Sequence, residues 1–210
     1  MHFFKSFTHY CAFILLSFIV ISCTNTNPTK QQNALENWQT RQQQLSQITT
    51  FQVNGSIAYF SKSTKHYGRF FIAQTNNENY RLKLTSPIGT TIFSLEVKPT
   101  IAIFTNNDGK TYKDYNVERL IDRLTGIKMP LKSLHQWLKG LSSNPQYDQI
   151  DNQGRLINTQ LTQNDQTWAI TINKYATYSQ RNNAIDLPAN IELKQKNDIA
   201  RFTINNWVLN

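Results

Sequence analysis

The hydrophobic pattern changes period along the chain, and each change marks an element. Between Asn33 and Gln47, Leu35, Trp38 and Leu45 recur at spacings of three and seven among Gln and Arg, which predicts an amphipathic helix. From Phe51 the period becomes two. Phe51, Val53, Gly55, Ile57 and Tyr59 alternate with polar or small residues, so a strand begins there. The same alternation predicts strands over His66 to Gln74, Tyr80 to Thr85, Thr91 to Val97 and Ile101 to Thr105, with turns rich in Asn, Lys, Asp and Gly between them. In Tyr80-Arg81-Leu82-Lys83-Leu84-Thr85 the alternation is cleanest: one sheet face is covered and the other is wet.

Helical spacing then returns. Val117, Leu120, Ile121 and Leu124 fit one face, with Gly126 placed to stop the helix. After Pro130, Leu131, Leu134, Trp137, Leu138 and Leu141 form a second apolar stripe that ends near Gly140. Strands resume at Tyr147 to Ile150, Leu156 to Thr162, Thr167 to Ile172, Asn190 to Lys194 and Arg201 to Leu209. About ten or eleven strands with three short helices predict a mainly β fold, a curved antiparallel sheet lidded by helices. A sheet curved around an apolar hollow suits acyl chains, since each buried methylene is worth about 0.8 kcal/mol. Trp38, Phe70, Ile72, Leu82, Leu84, Phe93, Trp137 and Trp168 are the candidates to line it, although the same residues would also serve as ordinary core.

The N-terminus predicts export. His2, Lys5 and His9 precede an apolar run from Tyr10 to Ile21, which is too short for a bilayer span of about 20 residues. Val20-Ile21-Ser22-Cys23 resembles the bacterial lipobox, with an aliphatic residue at minus three and a small one at minus one. That resemblance implies a signal peptide over 1–22, cleavage before Cys23, and diacylglyceryl and acyl groups on Cys23. Several acyl chains anchor far more firmly than one. Thr24 stands where an Asp would resemble an inner-membrane retention signal, which implies the outer membrane. Residues 23–32 read as a lipidated tether, and 33–210 as one folded domain.

Composition narrows the chemistry. Cys11 leaves with the signal and Cys23 carries lipid, so no thiol remains for a disulfide, a metal site or a nucleophile. His66 and His135 sit alone, and Glu96, Glu118 and Asp122 are unconnected. No Gly-x-Ser-x-Gly, His-Glu-x-x-His or phosphate-loop motif occurs, so the expectation is no enzyme, no metal and no cofactor beyond the covalent lipid. The formal charge of +9 would suit nucleic acid. The basic residues are scattered, however, which excludes a nucleic-acid reader and leaves an anionic lipid surface or an acidic protein.

Ser86-Pro87-Ile88-Gly89 joins two strands, and its Pro-x-Gly order suits a turn. Connections are normally polar, so a β-branched apolar residue there is unusual. Ile88 either folds back onto the core or is exposed for a purpose.

Several stretches together resemble the LolB family: Tyr67-Gly68-Arg69-Phe70-Phe71, Tyr80 through Gly89, Leu124-Thr125-Gly126, Pro130-Leu131, Leu134 through Gly140, Leu187-Pro188-Ala189-Asn190 and Asn206-Trp207. The resemblance implies an incomplete antiparallel β-barrel whose apolar cavity takes the acyl chains of lipoproteins delivered by a LolA-like periplasmic carrier. It implies a monomer that faces the periplasm, with cargo lipoproteins and outer-membrane lipid as partners. It makes Pro87, Ile88 and Gly89 the loop that pushes cargo into the membrane. Two positions depart from the family pattern: Ile88 stands where Leu is usual, and Ile72 where a cavity-wall Trp is expected. The competing expectation is a non-catalytic structural or assembly lipoprotein whose sheet is filled by its own side chains.

Overall fold

The computed structural model describes residues 28–163, 165–180 and 183–209. The expected signal peptide, lipidated Cys23 and the first part of the tether lie outside them. Helix α1 (Pro28–Ser46) leads into six antiparallel strands: β1 (Phe51–Phe60), β2 (Lys65–Asn76), β3 (Asn79–Thr85), β4 (Thr91–Lys98), β5 (Ile101–Asn106) and β6 (Thr111–Asp114). Next come α2 (Val117–Thr125), a 3-10 turn (Leu131–Ser133), α3 (Leu134–Lys139) and a second 3-10 turn (Pro145–Tyr147). The chain closes with β7 (Gln149–Ile150), β8 (Leu156–Gln163), β9 (Gln166–Gln180), β10 (Asn183–Gln195) and β11 (Asp198–Leu209).

The strands form one 11-stranded sheet in the order β6-β5-β4-β3-β2-β1-β11-β10-β9-β8-β7. Two meanders are therefore stitched along the β1/β11 seam, and β6 and β7 are left as unpaired edges. The helical segment 117–147 is the connection between those two edges, so the topology itself lays it across the opening. This is the expected incomplete barrel with lid helices.

Alternation decides which side faces in. Strand β1 buries Phe51, Val53, Ile57 and Tyr59 and exposes Gln52 and Ser56. Gly55 falls on the buried row, where a side chain has no room: a Cβ would lie 2.1 Å from the Thr203 carbonyl and 3.0 Å from the Phe70 ring. Its register shift against β11 at Asn54/Gly55 is a bulge that adds curvature at the seam.

Three sequence expectations change. Helix α1 starts at Pro28, inside the expected tether, and it buries Ala34, Trp38 and Leu45 with Arg41 half-buried between them, while Leu35 is 51% exposed. Steps of four, three and four residues follow the 3.6-residue period better than a stripe through Leu35. The hairpin β9–β10 runs well past the expected Thr167 to Ile172 and Asn190 to Lys194. Pro188 masked it, since proline argues against an inner strand; the ladder accommodates it at a register shift between Pro188 and Asn190. Strand β6 is four residues long with no fully buried side chain, and the hydrophobic pattern gave no sign of it.

Candidate functional site

The interior is built from registered rows. Val53, Ile72, Leu82, Leu95 and Phe104 face one another across β1 to β5, and Phe70, Leu84 and Phe93 form the next row. The lid sets its own apolar faces on them. Asn116 caps α2 by accepting from the Arg119 amide at 2.8 Å, which fixes the start of the helix and turns Val117, Leu120 and Ile121 inward.

Between sheet and lid is an enclosed cavity of about 20 Å³ with a wholly apolar wall. Phe70, Leu82, Leu84, Phe93, Ile57 and Phe202 line it from the sheet, and Ile121, Ile127, Met129 and Leu131 from the lid. A single water needs about 10–15 Å³ of such space, so this one holds no acyl chain as it stands. The space expected for acyl chains is filled here by the protein's own side chains, from the sheet and from the lid. Beside it, an open cleft of about 360 Å³ lies between α2 and the β8–β9 end; Met129 borders both.

Of the eight expected wall residues, Phe70, Leu82, Leu84 and Phe93 come together on the cavity. Ile72 is fully buried in the adjoining row. Trp137 is fully buried in the core, 5.1 Å from the Phe202 ring centroid, with its indole N–H donating to the Pro130 carbonyl at 3.2 Å. Trp168 borders the outer cleft. Trp38 stands apart, in a separate cluster with Leu156 and Ile172 under α1. The lid residues Ile127 and Met129 were missed because they sit in a connection with no period; Ile121 was visible in the α2 stripe.

Buried apolar side chains of α2, the 3-10 turn and α3 hold the lid down, with a set of polar bonds beside them; the Lys128 amide donates to the Tyr59 hydroxyl at 3.1 Å. The Tyr80 hydroxyl donates to the Leu131 carbonyl at 2.9 Å, and burial, with Glu118 nearby, pushes its pKa well up. Glu118 on α2 accepts from the Lys132 amide at 2.6 Å and from the Gln163 side chain on β8, and Ser133 donates to Gln163 at 2.9 Å. Lys139 on α3 is buried and donates to the Ile48 carbonyl at 2.6 Å; burial lowers its pKa to about 8. His135 is lowered to about 4 by burial and then by the Lys139 charge, so it is neutral at neutral pH. His66 is exposed and lies near the Tyr59 ring. Among the described residues no three His, Cys, Asp or Glu side chains are grouped as metal ligands would be.

The second feature is the β3–β4 loop. Gly89 N–H donates to the Ser86 carbonyl at 2.9 Å, closing a four-residue turn with Pro87 and Ile88 at its centre. The Ser86 amide donates to the Thr90 carbonyl at 2.8 Å, and the Ser86 hydroxyl accepts from the Thr90 amide at 3.2 Å. Gly89 has φ +95°, which a side chain rarely adopts. The turn leaves Ile88 at its tip, 91% exposed, the most exposed large hydrophobic residue among those described.

Comparison with known proteins agrees with this architecture. The family model described as outer membrane lipoprotein LolB matches residues 49–207. The outer-membrane lipoprotein LolB of Serratia proteamaculans is 35% identical over 199 residues, covering 93% of each chain. That of Klebsiella pneumoniae is 35% identical over 198 residues, covering 93% of this chain and 95% of its own. Among solved structures, a LolA superfamily protein from Nitrosomonas europaea superposes with a TM-score of 0.54 over 82% of this chain and 93% of its own. At 10% identity it supports the fold alone.

Proposed function

Since the chain belongs to the LolB family of outer-membrane lipoproteins, we propose that it takes the acyl chains of cargo lipoproteins into its apolar interior and hands them to the bilayer through Ile88. As a family member it is a lipid-anchored outer-membrane lipoprotein receptor facing the periplasm, and it is not an enzyme. It works with a LolA-like carrier and lipoprotein cargo; docking of that carrier on a monomer, mouth to mouth, is the arrangement we favour.

The observation that carries the reading is the pairing of an all-apolar interior under a helical lid with an exposed isoleucine at a turn tip. The closed cavity requires the segment from Ile127 to Leu134 to move for cargo to enter. Its bonds to Tyr59, Tyr80, Glu118 and Gln163 are worth about 1 kcal/mol each net, and its buried Ile127, Met129, Leu131 and Leu134 about 1.5–3 kcal/mol each, so apolar packing holds it and entering acyl chains must replace that packing. Fifteen methylenes leaving water supply about 12 kcal/mol, at ~0.8 each. Cargo leaves a carrier and not water, so the difference between two apolar sites sets the direction, and the membrane is the final sink. No nucleotide is needed.

The test of the cavity is a lipoprotein whose acyl chain carries a photoactivatable group, presented by a loaded carrier. Cross-links to Phe70, Leu84, Phe93 and Met129 are expected. Cross-links confined to the outer surface would contradict the cavity and favour an interior that stays filled by its own side chains.

A further inference from the structure

The outer face of the same half of the sheet carries a second pattern. Of the large hydrophobic residues that stand exposed, four gather on β2 to β4 or their connecting loop: Tyr67 at 56%, Phe71 at 40%, Ile88 at 91% and Ile92 at 40%. Single exposed hydrophobics need no explanation, but neighbours do. Register makes these neighbours. Phe71 lies across from Lys83, and Arg69 from Thr85, beside the start of the loop. Ile92 is the unpaired residue of a bulge between the pairs Leu84–Phe93 and Thr85–Thr91, at the loop's base. Tyr67 continues the β2 row, edge-on to the Phe60 ring at 5.7 Å.

Interleaved with these rings are exposed Lys65, Arg69 and Lys83, which have no ion-pair partner among the described residues. The carboxylate on β4, Glu96, is already matched with Arg81 and Lys98. Basic residues set among aromatic ones, continuous with an apolar tip, match an anionic head-group layer, where rings lie at the interface and each cation meets phosphate. A protein partner would favour a self-contained apolar centre with a polar rim, and this face has none.

We propose that the outer face of β2 to β4, through Tyr67, Phe71, Ile92, Lys65, Arg69 and Lys83, lies on anionic lipid and thereby sets the tilt at which Ile88 meets the bilayer. This rests on the reading of Ile88 as membrane-facing and extends it from a point to a surface. The protein then sits side-on to the membrane.

The experiment uses the full lipidated chain, Cys23 occupied by its lipid, in phosphatidylethanolamine vesicles with or without phosphatidylglycerol. One fluorophore is placed on a cysteine at Tyr67, Phe71, Ile88 or, as control, exposed Asn173 on β9, and brominated acyl chains serve as quencher. Quenching at 67 and 71 in the anionic vesicles only, with none at 173, is expected. Because each cation near such a surface is worth about fivefold, Lys65→Gln, Arg69→Gln and Lys83→Gln together lower the docked population about a hundredfold. Labels at 67 and 71 that stay wet while 88 is quenched overturn the surface and leave the loop standing; a wet label at 88 fails the loop reading itself. Equal quenching in both vesicles overturns the role of charge, and shielding of 67 and 71 only on addition of an acidic protein assigns the face to that protein instead.

Discussion

Two hairpin loops at one end of the sheet, 86–90 and 106–110, share a backbone and differ in what they carry. In each, the first residue's amide donates to the fifth residue's carbonyl, the fourth residue's amide donates to the first carbonyl, and the first side chain accepts from the fifth amide. The fourth position is Gly89 at φ +95° in one and Gly109 at φ +79° in the other. Even the loop 151–155, at the opposite end, repeats the scheme with Asp151 and Gly154. The third position is Ile88, Asp108 and Gln153 respectively. The turn therefore accepts a polar tip without change of geometry, and nothing in its hydrogen bonding calls for isoleucine. The isoleucine is thus not required by the fold of the loop, which is why we propose lipid as its partner.

The largest expected effect comes from erasing the difference. Ile88→Asp gives the first loop the tip of the second; an isoleucine's transfer is worth about 2 kcal/mol, so delivery of cargo to membranes should fall about thirtyfold. Its thermal midpoint should match the native protein's. Next, Gly89→Ala and Gly109→Ala should each cost about 1–2 kcal/mol in denaturant titrations, because a Cβ meets no atom within 4 Å at either site and only the backbone conformation is strained. Only the Gly89 variant should also slow delivery. Smaller still, Asn106→Ala should cost about 1 kcal/mol, since its side chain accepts from both the Asp108 and Lys110 amides, and Ser86→Ala about half that, having one such bond. Least of all, Asp108→Ile should change stability by no more than about 0.5 kcal/mol and leave delivery as it is. If it instead rescued Ile88→Asp fully, any apolar residue at that end would suffice and the position of loop 86–90 would lose its meaning.

Much of this was legible in the sequence where one physical cause acts alone. The alternation in Tyr80 to Thr85 gave the strand and the inward Leu82 and Leu84, since period two permits one assignment once a face is buried. Ile88 was visible because its residue type contradicts its place in a turn. The adjacent Phe70 and Phe71 already required one ring to face out, because neighbours on a strand point to opposite sides. What stayed hidden depends on three-dimensional packing. Leu35 and Ala34 are both plausible buried positions until the sheet fixes which face of α1 it meets. Trp38 joins its own cluster because α1 crosses the β8–β9 side of the sheet. The state of the lid is set by how Ile127 and Met129 fill the space over Phe70 and Leu84, and no periodicity reports that.

The central claim is that uptake and delivery are separate acts, one belonging to the cavity and the other to the tip. Its most direct test follows a radiolabelled lipoprotein from a loaded carrier and asks where it resides when the acceptor bears Ile88→Glu. The account predicts cargo that leaves the carrier normally and accumulates on the variant, with little reaching the membrane. Delivery at the native level, or cargo that never leaves the carrier, would contradict it.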